Sequence, residues 1–167
     1  MAFKPAMLLS VVVAAVALAA CGSSSKSTSS STPSSSASST GSSHTTSTGL
    51  PSRTYKLKLT GTSEVPKGAP SGVGNAVVTI HGKTGQLCWR FSHLHGFNSA
   101  TFAHVHVGAA GTSGNIVVPL STGTALHHAG CVKVSPTLLK AIEANPHGYY
   151  VNIHSKVYPG GAVRSQL

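Results

Sequence analysis

A chain of 167 residues has the size of one ordinary domain with room for appended segments. It carries twelve Lys and Arg, ten His, no Asp and only two acids, Glu64 and Glu143, for a formal net charge of +10 at pH 7. These counts exclude a Ser-His-Asp triad and calcium or magnesium-phosphate sites built on Asp, and they leave paired-carboxylate chemistry only Glu64 and Glu143 to draw on.

The N-terminus reads as a targeting segment. Lys4 precedes an apolar run from Ala6 to Ala20, broken only by Ser10. That run is short for a bilayer-spanning helix but fits the core of a signal peptide over 1–20. It ends in Leu18-Ala19-Ala20-Cys21-Gly22, which resembles a bacterial lipobox, so Cys21 is the expected lipidation site and the first residue of the mature chain. A plain secretory signal with an accidental Cys is the competing reading. Residues 22 to 52 hold twenty-two Ser or Thr among thirty-one positions. They offer too little apolar surface to offset ordering entropy, so 21–52 is expected to be a lipidated Cys followed by a flexible stalk, with His44 idle in it. The expected location is the cell membrane, lipid-anchored and facing the periplasm or the exterior.

From Arg53 onward, short alternating segments separated by Gly, Pro, Asn and Ser predict an all-β sandwich or barrel over 53–167. Tyr55, Leu57 and Leu59 share one face of the first strand, and Ala76, Val78 and Ile80 one face of the second. Leu87, Trp89 and Phe91 follow, then Ala103, Val105 and Val107. Further strands are expected at 115–120, around Val132 and Val134, at 149–155 and at 162–167. Between them Ser135-Pro136 suits an N-cap and first turn, which predicts one helix over 136–144, stopped by Asn145-Pro146. Alternation turns Cys88 and Cys131 away from the apolar interior. Outside the cytoplasm a disulfide between them is the default, with a pair of thiolate metal ligands as the other reading.

The histidines carry the chemistry. If Ala103, Val105 and Val107 face inward, His104 and His106 project together from the outer face, one strand repeat apart. By the same logic Val151 and Ile153 face inward and leave Asn152 and His154 outward. Were these strands neighbours, His104, His106 and His154 would form a three-nitrogen site suited to copper or zinc, with no carboxylate needed. His93 and His95, beside Gly96, are expected at a rim. His127 and His128 are expected in a loop, and His81 and His147 at turns.

The blocks Ala103-His104-Val105-His106-Val107-Gly108, 148–155 and 158–167, with the opening 59–66, resemble those of the CHRD domain, the module repeated in chordin and found singly in bacterial exported proteins. The resemblance covers about 53 to 167. It implies an immunoglobulin-like Greek-key β-sandwich, related in arrangement to Cu/Zn superoxide dismutase, with one short helix added. In that enzyme a His-x-His strand and a later strand His bind copper, and the matching positions are His104, His106 and His154. Ala162 stands where the family carries Glu and Ser165 where it carries Gly. The Asp of the dismutase zinc site has no counterpart, so the resemblance implies a lone metal rather than a pair. Arg164 is expected to be structural, on the last strand.

Three functions follow as expectations. The first is a membrane-anchored lipoprotein whose domain binds a transition metal, copper before zinc. An interaction or adhesion module without metal is the second, and a copper-only dismutase-like oxidoreductase the third. The cations Lys56, Lys58, Lys67, Lys83, Lys133 and Lys140 are scattered singly along the sequence, which speaks against nucleic acid as a partner. The sequence names no protein partner.

Overall fold

The computed structural model describes residues 49–167. The expected signal segment, Cys21, nearly all of the Ser/Thr-rich stalk and His44 lie outside the described residues. No helix among the described residues is long and apolar enough to cross a membrane.

The fold is all-β with one short helix, as the alternation predicts. Its strands are β1 (Ser52–Thr60), β2 (Val73–His81), β3 (Gln86–His95), β4 (Ala100–Val107), β5 (Ile116–Ser121), β6 (Ala129–Lys133), β7 (Tyr149–Ser155) and β8 (Val163–Gln166), with helix α1 (Pro136–Ala144) between β6 and β7. All pairings are antiparallel, in the order β5-β4-β7-β8-β1-β2-β3-β6. β8 and β1 meet only at Thr60–Arg164. That narrow seam lets the sheet turn back on itself, so that β1-β2-β3-β6 and β5-β4-β7-β8 share one core. β7 returns beside β4 after the chain has passed through β5, β6 and α1, which is a Greek-key return.

Each predicted apolar stripe lands in that core. Leu59, Ala76, Val78, Ile80, Leu87, Trp89 and Phe91 from one half are buried with Ala103, Val105, Val151, Ile153 and Val163 from the other. Removing such side chains from water contributes roughly 1.5–3 kcal/mol each. The indole N–H of Trp89 donates to the His127 carbonyl at 3.1 Å, so this large ring is buried without an orphaned donor. Ser135 caps α1 as expected, its hydroxyl accepting from the Leu138 N–H at 3.3 Å, and Leu139 and Ile142 are the helix residues that reach the core. One inward assignment is corrected: Val107 is 41 % exposed. It is the last residue of β4 and pairs with Tyr149, the first of β7, so it lies at the sheet end where no opposing layer remains.

Cys88 and Cys131 are directly opposite one another on β3 and β6 and form a disulfide, with Cα atoms 4.0 Å apart. Both point to the outer face, as the alternation requires, and the bridge ties the edge strand β6 to its neighbour.

Candidate metal centre

β4 and β7 are neighbours, and their register sets His104 opposite Asn152 and His106 opposite Tyr150. Side chains on one face of paired strands meet, so His104, His106, Asn152 and His154 converge. The His104 Nδ1 and His154 Nε2 atoms are 3.1 Å apart. One nitrogen from each of His104, His106 and His154 lies within 4.8 Å of the others. Nitrogens bound to one ion at 2.0–2.1 Å in tetrahedral geometry stand about 3.3 Å apart, so modest rotation of the rings would close the site.

The three rings lie on the face turned away from the core, as the alternation predicts, but that face is covered. They are only 7–9 % exposed. Period-two alternation says which face a side chain takes, but not whether loops cover that face. Here they do. The β4–β5 connection brings the Gly114 carbonyl to His106 Nδ1 at 2.8 Å, and the β7–β8 connection brings the Pro159 carbonyl to His154 Nδ1 at 2.8 Å. The Pro159 carbonyl fixes a proton on His154 Nδ1 and leaves its Nε2 with the lone pair toward the cluster, the usual way in which an outer partner orients a metal-binding imidazole, and the Gly114 carbonyl accepts from His106 Nδ1. His104 then donates from Nδ1 to His154 Nε2. An ion bound between them would require the His104 proton on its other nitrogen. Asn152 Oδ1 sits 3.1 Å from His106 Nε2, so both nitrogens of His106 face oxygen acceptors, and Asn152 would have to turn aside for that nitrogen to take a metal.

Burial favours the neutral form of His104 and His154. His104 is lowered to about 4, first by desolvation and then by the neighbouring His154 and His106. His154 is lowered as well, again chiefly by burial. Neutral imidazole is the form that ligates a metal.

Arg164 is structural, and its task can be named. It is 1 % exposed on β8 and lies over the Tyr150 ring at 3.6 Å. Tyr150 in turn stacks on His106, with ring centres 4.7 Å apart and planes 4° from parallel. The guanidinium donates to the Thr112 carbonyl at 2.8 Å and to the Ala109 carbonyl at 3.2 Å, and the Gly114 N–H donates to the Tyr150 hydroxyl at 3.2 Å. Arg164 and Tyr150 therefore hold the loop that presents the Gly114 carbonyl to His106.

One residue of this site was not legible in the sequence. Glu64, in the β1–β2 connection, is 4 % exposed with Oε1 lacking a hydrogen-bond partner. Desolvation pushes its carboxyl up to about 7, against the pull of Arg164 and of hydrogen bonds from Val65 and Asn152. Asn152 thus touches both Glu64 and the His cluster. Among the described residues no further histidine joins it: His93 and His95 are exposed at the end of β3, and His127 and His128 lie in the β5–β6 connection.

The donors form a set of three imidazoles without a carboxylate, a chemistry that fits copper(II), copper(I) or zinc better than calcium or magnesium. A family model described as the CHRD domain matches residues 55–167. No curated protein and no solved structure matches the chain.

Proposed function

The chain belongs to the CHRD domain family, and from that premise we propose that it is an extracytoplasmic lipoprotein that binds one transition-metal ion, copper before zinc, through His104, His106 and His154. The observation that carries this is the convergence of three ligand nitrogens within 4.8 Å, two of them on rings whose other nitrogen is held by a backbone carbonyl. Copper ranks first because divalent copper binds such nitrogen sites more tightly than its first-row neighbours. Bound there, the metal would supply Lewis acidity or a one-electron couple. The protein's own part is to hold the rings, keep them neutral and limit access of water. The tether is the lipid on Cys21 that the sequence resemblance implies, and the disulfide suits an oxidising compartment.

Binding ranks above catalysis because a dismutase-like site needs an open coordination position, and the three rings are nearly buried. A metal-free interaction module is the second reading. It is favoured by one observation: His104 and His154 satisfy each other directly at 3.1 Å.

Copper and zinc titration of the full-length protein tests the proposal. Wild type should take up one ion per chain, and His104→Ala with His106→Ala should take up none while keeping a cooperative melt. Equal uptake by both proteins would sink the metal site. A superoxide assay on the copper-loaded protein then separates binder from enzyme.

A further inference from the structure

Two of the lysines, Lys56 and Lys58, are joined in space by Arg90 from another strand. On the layer β1-β2-β3-β6 the outward residues are those that alternate with the core stripe. The register runs Lys56 to Val77 to Arg90 in one row and Lys58 to Asn75 to Ser92 in the next. Lys56, Lys58 and Arg90 are all exposed. With adjacent strands about 4.8 Å apart, Lys56 and Arg90 stand roughly 10 Å from each other across the sheet, and Lys56 and Lys58 about 7 Å along it. No acid lies on this face. Of the chain's two acidic side chains, Glu64 is buried near Arg164 and Glu143 is on α1.

The face is furrowed. A depression of about 390 Å³ between Lys58, Asn75, His93 and His95 joins one of about 380 Å³ through Lys58 and Asn75. That second depression meets a third, of about 300 Å³, at Val77, and the third continues past Arg90 to the Cys88–Cys131 bridge. The three are shallow and adjoin through shared residues, so they make a row across the strands, a track with Lys58, Lys56 and Arg90 beside it.

We propose that this track is a docking surface for a linear polymer of phosphate groups. Charge complementarity supplies the attraction. The shape selects an extended chain over a planar lipid surface, since a furrow contacts a strand along its length. Besides Lys, Arg, Thr, Asn, Ser, Val and the bridged cysteines, the lining holds His81, His93 and His95. Its one large aromatic ring, Trp89, is only 8 % exposed and packed in the core, so it is not an open platform of the kind on which single-stranded nucleic acid stacks. The surface is independent of the His104 cluster and would stand if that site held no metal.

The test uses the full-length protein and long-chain polyphosphate, with tripolyphosphate, single-stranded DNA and phosphatidylglycerol vesicles as comparison probes. The variant Lys56→Glu, Lys58→Glu, Arg90→Glu should lose roughly 100-fold in affinity at low salt and show a weaker salt dependence. The milder Lys56→Gln, Lys58→Gln, Arg90→Gln should lose less, and its melt should match wild type. A variant of equal charge change off the track, Lys67→Glu, Lys140→Glu, Lys156→Glu, should lose only a few-fold. Equal losses on and off the track would reduce the effect to net charge and overturn the proposal, as would no loss at all. Tripolyphosphate binding as tightly as the long chain, or DNA or vesicles binding more tightly, would also overturn it.

Discussion

Glu64 sits under Arg164 with an unpartnered carboxylate oxygen, and its burial has a pH signature. Its carboxyl is pushed up to about 7 in the folded chain from an ordinary value of 4.5 when unfolded. Between those values the folded state binds more protons, so stability falls as pH rises from 4.5 through 7, by up to about 3 kcal/mol. His104 acts in the opposite sense: lowered to about 4, it makes the metal-free protein more stable as pH rises from 4 to 6.5. Glu64→Gln removes only the first effect. The variant should gain about 2–3 kcal/mol over wild type between pH 5 and pH 8, read from denaturant melts at the two values. A constant difference would place Glu64 in a more polar setting than the structure gives it. Gly161 belongs to the same contact. It has φ +138° and a Cβ there would collide with the Glu64 carboxyl. Gly161→Ala should therefore cost more than about 1 kcal/mol, the usual cost of backbone strain at such a conformation, as thermal melts would show. None of this was legible beforehand, because Glu64, which follows β1, reaches Asn152, Gly161 and Arg164 only once β1 and β8 have met.

The strands themselves were largely legible. Period-two alternation placed Leu59, Val78, Trp89, Val105 and Ile153 in the core and turned Cys88, Cys131, His104 and His154 away from it. What it could not supply was the covering of the second face, since loops 108–114 and 156–162 carry no periodic signal. Hence His104 and His106 are buried rather than exposed. The cover also explains why an Arg on the last strand matters to a His on β4. Arg164→Lys keeps the charge but loses the planar fork that reaches the Ala109 and Thr112 carbonyls and lies on Tyr150. Under the metal-binding proposal it should weaken copper affinity about 10- to 100-fold in a competition titration, the usual scale for loss of an orienting partner. The disulfide acts at this scale too. It closes a loop with a sequence separation of 43 residues, so Cys88→Ser with Cys131→Ser should lower stability by about 4 kcal/mol on the chain-entropy account, measured by denaturant unfolding.

At the scale of the molecule, few acids and many cations yield a protein whose two layers differ in what they carry. One layer encloses the imidazoles of His104, His106 and His154 under loops, and the other carries Lys56, Lys58 and Arg90 on its open face. Linear sequence hid the second arrangement, because Lys56, Lys58 and Arg90 become neighbours only through the pairing of β1, β2 and β3. The proposed anchor is separately testable: Cys21→Ala should abolish incorporation of labelled palmitate in cells, while undiminished labelling would place the lipid elsewhere. The central claim is the three-nitrogen site. Anomalous diffraction at the copper edge, on crystals of the copper-loaded protein, tests it most directly. The account predicts a single strong peak about 2.0–2.1 Å from one nitrogen each of His104, His106 and His154. A peak at His93 and His95 or at His127 and His128, or no ordered copper at all, would contradict it.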